Sequence, residues 1–142
     1  MKKPIPLTVL PPAPAGLVPC TSCGKCCTYV AVGINAPTTP RTATDVLWYL
    51  YHEHVSVYRD HGREWAVIFD ARCRHLQDDL LCAVYAERPH ICRGFDNTDC
   101  EVNAPGGVTV FREPREFLAY LKARRPRVYR QVAKKYLPPA LQ

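Results

Sequence analysis

Alternating and helical hydrophobic spacing divides the chain into a few short elements. Val55-Ser-Val57-Tyr-Arg59 and Trp65-Ala-Val67-Ile-Phe69 are rich in β-branched and aromatic residues, with His61-Gly62 between them. That arrangement predicts a β-hairpin. Residues 28–34 (TYVAVGI) predict a short strand that carries the preceding loop into the core, and residues 108–111 (VTVF) predict another after the turn at 104–107. Thr42-Ala-Thr-Asp45 has the outline of a capping box, with Asp in place of the usual Glu or Gln. A helix is expected from about 43 to 52, burying Val46, Leu47, Leu50 and Tyr51. Pro114 and Pro126 stand where helices start, predicting helices over 114–124 and 126–137. Phe117, Tyr120 and Leu121 make one buried stripe, and Val128, Tyr129, Val132 and Tyr136 the other. These elements predict a small α+β fold with a short hairpin or sheet and C-terminal helices.

Composition bounds this picture. A chain of 142 residues, 47% hydrophobic, suits a single core. The expected organisation is a proline-rich extension over 1–19, a cysteine-rich domain over 20–111, and a basic helical segment over 112–142 packed on that domain. No apolar run approaches the roughly 18–20 residues of a membrane span. Met1-Lys2-Lys3 begins like a signal peptide, yet Pro4, Pro6, Pro11, Pro12 and Pro14 follow, and no helical apolar segment tolerates them. The same absence counts against a lipoprotein cleavage site at Leu17-Val-Pro-Cys20. The expected location is therefore cytoplasmic, with no membrane partner.

The formal net charge of +6 is concentrated at one end: residues 112–135 hold nine Lys and Arg against Glu113 and Glu116. Arg124, Arg125, Arg127, Arg130, Lys134 and Lys135 are candidates for phosphate contact, with tyrosines between them for stacking. A solvated basic face on amphipathic helices is the plainer reading, because the tyrosines fall on the core stripes.

The chemistry lies in the eight cysteines, which a reducing cytosol keeps as thiols. Cys20-Thr-Ser-Cys23-Gly-Lys-Cys26-Cys27 puts four of them within eight residues. Cysteines three apart on a tight turn can face one metal, and Gly24 falls where such a turn needs positive φ. Adjacent side chains point different ways, so Cys26 and Cys27 need not serve the same ion. Cys73, Cys82, Cys92 and Cys100 form a second region with different spacing. One short loop seldom completes a site, so the two regions are expected to converge. All eight cysteines are candidate ligands, for one site or for two. Soft thiolates suit Zn²⁺ or an iron–sulfur cluster. Cys20, Cys23 and Cys26 match the first three steps of a bacterial ferredoxin run, with the fourth ligand remote, while Cys₄ zinc sites use similar spacing. Either group carries net negative charge, and Arg88, Arg93 and Lys25 are candidates to offset it. His75 and His90 lie near cysteines but are read as exposed or hydrogen-bonding. No nucleotide loop, serine-hydrolase elbow or carboxylate pair stands out, and whether the chain is an enzyme stays open.

Taken together, Cys20-x2-Cys23-Gly-Lys-Cys26-Cys27, Cys73-x2-Leu76, Cys82-Ala-Val-Tyr85 and Arg88-Pro89-x2-Cys92-Arg93-x-Phe95 resemble the CxxCxxCC family, YkgJ-like cysteine-cluster proteins described as zinc- or iron-chelating. The resemblance covers about residues 20–100. Where many of those proteins have a glycine before the cysteine matching Cys82, this chain has Asp78-Asp-Leu-Leu81. The resemblance implies metal binding. The favoured role is an iron–sulfur protein, with a 4Fe–4S cluster, in electron transfer or maturation beside a protein redox or substrate partner. The alternatives are a structural zinc module for a protein or nucleic-acid partner, and a cluster-dependent methyl-transfer enzyme or subunit, since the flagellin lysine N-methylases share this type of cysteine cluster.

Overall fold

A computed structural model describes residues 16–94, 98, 100, 102–103 and 108–141. Residues 1–15 of the expected extension over 1–19, the polar loop at 96–99 apart from Thr98, and the turn at 104–107 lie outside the described residues. The fold is α+β, and the chain divides into two compact units interleaved in sequence. One comprises residues 1–29 and 71–106, the other 30–70 and 107–142.

The second unit carries a four-stranded sheet. Strands β1 (Tyr29–Ile34), β2 (Val55–Arg59), β3 (Trp65–Asp70) and β4 (Thr109–Phe111) lie in the order β1-β3-β2-β4. The expected hairpin is present, β2 pairing antiparallel with β3 and placing Val57 opposite Val67. On its other side β2 pairs antiparallel with β4, Val57 opposite Phe111. Asp60 closes the hairpin loop: its N–H donates to the Glu64 carbonyl and its carboxylate accepts the Glu64 N–H at 2.8 Å. The residue with positive φ there is Arg63, not Gly62. Strand β1 does not enter the core as expected. It is an edge strand, with Val30 and Val32 about half exposed.

The helices of this unit are α2 (Pro40–Leu50), α4 (Pro114–Arg124) and α5 (Pro126–Tyr136); α1 (Cys20–Cys23) and α3 (His90–Arg93) belong to the first unit. Helix α2 starts three residues before the expected position. Thr39 and Thr42 cap it reciprocally, each backbone N–H donating to the other's hydroxyl. Pro40 occupies the first turn, where its missing N–H costs nothing and its φ is already helical. Ala43, Val46, Leu47 and Leu50 are buried, whereas Tyr51 sits at the C-cap, off the stripe and exposed. Helices α4 and α5 match their expected spans to within one residue. Phe117, Leu121, Val46, Val57, Val67 and Val132 are fully buried. Burial stabilises such side chains by roughly 1.5–3 kcal/mol each. Around them Trp65 stacks on Phe111 with ring centroids 5.7 Å apart, and Phe117 meets both rings edge-on. Tyr136, expected in the α5 stripe, is instead about half exposed beside Lys135.

The first unit is made of turns. Helix α1 (Cys20–Cys23) is a single turn that ends at Gly24, followed by a 3₁₀ turn over Lys25–Cys27. Residues 71–73 run back beside this segment: the Ala71 N–H donates to the Thr28 carbonyl at 2.9 Å, and the Cys73 N–H to the Cys27 carbonyl at 2.7 Å. Leu76 and Cys82 form an antiparallel bridge across a turn in which Leu80 has positive φ. A 3₁₀ turn (Tyr85–Glu87) and α3 (His90–Arg93) follow. Asn103 and Val18 exchange two hydrogen bonds that fasten the chain ahead of α1. Among the described residues no helix is long and apolar enough to cross a membrane.

Candidate metal centre

The cysteine loop takes its shape from Gly24. With φ +60° it ends α1 and lets the chain turn directly into the 3₁₀ segment. The Cys27 N–H donates back to the Gly24 carbonyl, and the Thr28 N–H and hydroxyl both donate to Lys25. Three residues per 3₁₀ turn rotate successive side chains by about 120°, so Cys26 and Cys27 leave the loop in different directions. Leu76 and Leu80 cover the Gly24 backbone so closely that a β-carbon there would lie 3.3 and 3.2 Å from their methyl groups.

All eight cysteines are free thiols and all belong to the first unit, where the two cysteine regions come together. Cys20, Cys23, Cys26 and Cys100 line one small cavity of about 30 Å³, with Gly24 and Lys25 in its wall. Cys27 contacts the other strand of this unit through the Cys73 N–H. Cys82 is set by its bridge to Leu76, and Cys92 by α3, whose first turn is closed by the Cys92 N–H on the Pro89 carbonyl at 3.0 Å. Among the described residues, no three His, Cys, Asp or Glu side chains converge on a single-ion position. Tetrahedral zinc, with Zn–S near 2.3 Å, holds its sulfurs only about 3.8 Å apart.

The electrostatics report the same neighbourhoods. Burial raises the Cys20 thiol, followed by the nearby Cys100 and Cys23, while Arg88 pulls it down. Burial, then Cys27, pushes Cys26 up to about 11. Burial raises Cys27 as well, and Cys73, Cys82 and Cys92 add to it. At neutral pH these three thiols hold their protons in the metal-free chain, so any metal that binds them must displace protons. Four clustered thiols are the donor set that zinc and iron–sulfur clusters use, so the residues fit either group.

Of the cationic candidates, Arg88 lies near Cys20 and also stacks on Tyr85, its guanidinium carbon 3.6 Å from the ring centroid. Arg93 braces its own loop: Nε donates to the Arg88 carbonyl and Nη2 to the Ala86 carbonyl, each at 2.8 Å. It pins the 86–93 loop that carries Cys92. His75 and His90 are exposed, as expected, and the Ala83 N–H donates to the His75 carbonyl. Spacing alone did not single out Cys100 as the partner of the first three cysteines, because only folding brings it to their cavity. Leu80 was also missed as a part of the site; the signal was the missing glycine before Cys82. The basic residues Arg124, Arg125, Arg127, Arg130, Lys134 and Lys135 are exposed on α4 and α5 or between them, while Tyr129 packs against the core of the other unit.

No curated protein and no solved structure is significantly similar to the chain. A family profile, CxxCxxCC, described as "Putative zinc- or iron-chelating domain", matches residues 19–117. That span holds all eight cysteines and most of the chain, and the protein belongs to the CxxCxxCC family of metal-chelating cysteine-cluster domains.

Proposed function

We propose that this protein carries an iron–sulfur cluster on its cysteine unit and works in electron transfer or in maturation of a redox partner. The observation that carries this reading is the shared cavity of Cys20, Cys23, Cys26 and Cys100. Three ligands from a Cys-x2-Cys-x2-Cys run and a fourth from a remote position is the ferredoxin pattern of ligation. These four thiolates would hold the cluster. Arg88 would temper its negative charge, and Leu76 and Leu80 would shield the loop from water. The cluster itself would supply one-electron chemistry.

A specific observation favours a second reading. The cavity is about 30 Å³, room for an ion more than for a cubane. On that reading the thiolates hold structural zinc, and the protein is a binding module. Purification without oxygen followed by iron, sulfide and zinc analysis decides between them. Iron with a matching amount of acid-labile sulfide is the expected result. Zinc without sulfide would replace the first reading by the second, and a chain devoid of both would remove both.

A further inference from the structure

We propose that the eight cysteines form two four-thiol sites that part between neighbouring residues: Cys20, Cys23, Cys26 and Cys100 hold one group, and Cys27, Cys73, Cys82 and Cys92 hold the other. This rests on the reading of the protein as a thiolate metal binder but goes beyond it, since one site with spare thiols would satisfy that reading equally.

The first set is defined by the cavity. Its four cysteines line it, and none of the second set does. Left-handed Gly24 separates the turn of Cys20 and Cys23 from that of Cys26, and the three thiols still border one cavity, as a common centre requires. Cys27 is one step further on the 3₁₀ turn, rotated away by about 120°. The second set is built on a different backbone connection. The Cys73 N–H donates to the Cys27 carbonyl, which holds these two residues side by side on adjacent chains. Cys73 then accepts the Leu76 N–H, and Leu76 is bridged to Cys82. Cys92 lies on the turn at 89–93, which Arg93 pins, and is the cysteine left to complete the set.

Each set contains thiols from both cysteine regions, so each site ties residues 20–27 to residues 73–100. Adjacent cysteines then serve different groups, Cys26 the first and Cys27 the second.

The test counts bound groups per chain by native mass spectrometry on the full protein, purified without oxygen, with metal and sulfide analysis beside it. Wild type is expected to hold two groups. Cys26→Ser and Cys27→Ser are each expected to keep one. The same-set pair Cys26→Ser with Cys100→Ser keeps one as well, and the cross-set pair Cys26→Ser with Cys27→Ser keeps none. One group per chain in wild type overturns the partition and leaves the metal-binding reading intact. A cross-set pair that keeps a group also overturns it, while no metal in any form removes both proposals. The wild-type count needs no variant, so a misfolded mutant does not shelter the claim.

Discussion

Two residues with left-handed backbone set the geometry of the cysteine loop, and they illustrate opposite sides of the same steric rule. Gly24 takes φ +60° without penalty because it has no β-carbon. Leu80 takes φ +67° against a cost of about 1–2 kcal/mol. Its side chain lies against Gly24, and that contact offsets part of the strain. Gly24 was legible in the sequence from its place after Cys23. Leu80 was legible only as part of a departure, the absence of a glycine before Cys82. Gly24→Ala should therefore lower stability by about 1–2 kcal/mol through its φ alone. The crowding against Leu76 and Leu80 adds to that and should turn the loop enough to reduce bound metal. Gly33→Ala is the control, since nothing lies within 4 Å of a β-carbon there and its φ is not positive. Thermal midpoints and metal per chain for the two variants make the comparison. Wild-type values for Gly24→Ala would mean that the loop does not need its left-handed turn.

Among the elements, legibility followed the strength of the local signal. Helices α4 and α5 could be bounded because each has proline in its first turn and a regular apolar stripe. The hairpin could be recognised from two β-rich runs, although its left-handed position fell on Arg63. Helix α2 began early because two threonines three apart cap each other as well as a Thr–Glu pair would, a combination the usual motif does not include. The exposure of β1 could not be read, because an edge strand and a buried one share the same β-branched sequence. At the start of α4 one carboxylate oxygen of Glu116 accepts the Arg112 N–H at 2.6 Å and the Glu113 N–H at 3.2 Å. The Arg112 bond first, then that from Glu113, lowers the Glu116 carboxyl below its ordinary value of 4.5. As pH falls, the unfolded chain therefore takes up this proton before the folded one does. The stabilisation is complete above about pH 4.5 and is lost as pH drops through the folded value. Glu116→Gln should weaken the protein at neutral pH and show a smaller further loss between about pH 4.5 and 3 than wild type. Denaturant midpoints across that range provide the measurement, and parallel curves for the two proteins would contradict it.

At the scale of the whole molecule the two units differ in what holds them. All the buried hydrophobic residues among those described lie in the unit of 30–70 and 107–142, except Leu76. That unit has an aromatic cluster, a sheet and three capped or proline-started helices. The cysteine unit has single turns, a two-residue bridge and one buried leucine. Ordering each of its residues costs on the order of 1–2 kcal/mol of backbone entropy, and apolar burial on that scale does not offset it. Structural thiolate metal sites supply on the order of 10 kcal/mol or more in apparent binding energy at neutral pH. This contrast could be anticipated in part, because the turn-rich cysteine segments and the apolar stripes are separate in the sequence. The interleaving of the units could not, since it depends on the hydrogen bonds that lay 71–73 beside 27–28. Metal removal by an acid-free chelator under reducing conditions should then act unequally. Amide protection should fall across 20–28 and 71–94, while 43–50, 55–59, 65–70 and 114–136 keep theirs. Replacing Cys23 with Ser empties only its own site, so it should loosen 20–26 while the second site keeps 73–94 tied to Cys27. Hydrogen exchange read by mass spectrometry on loaded, chelated and Cys23→Ser protein resolves these segments. Unchanged protection over 73–94 after metal loss would show that turns and a single buried leucine suffice, and that the metal is an accessory to a unit already folded.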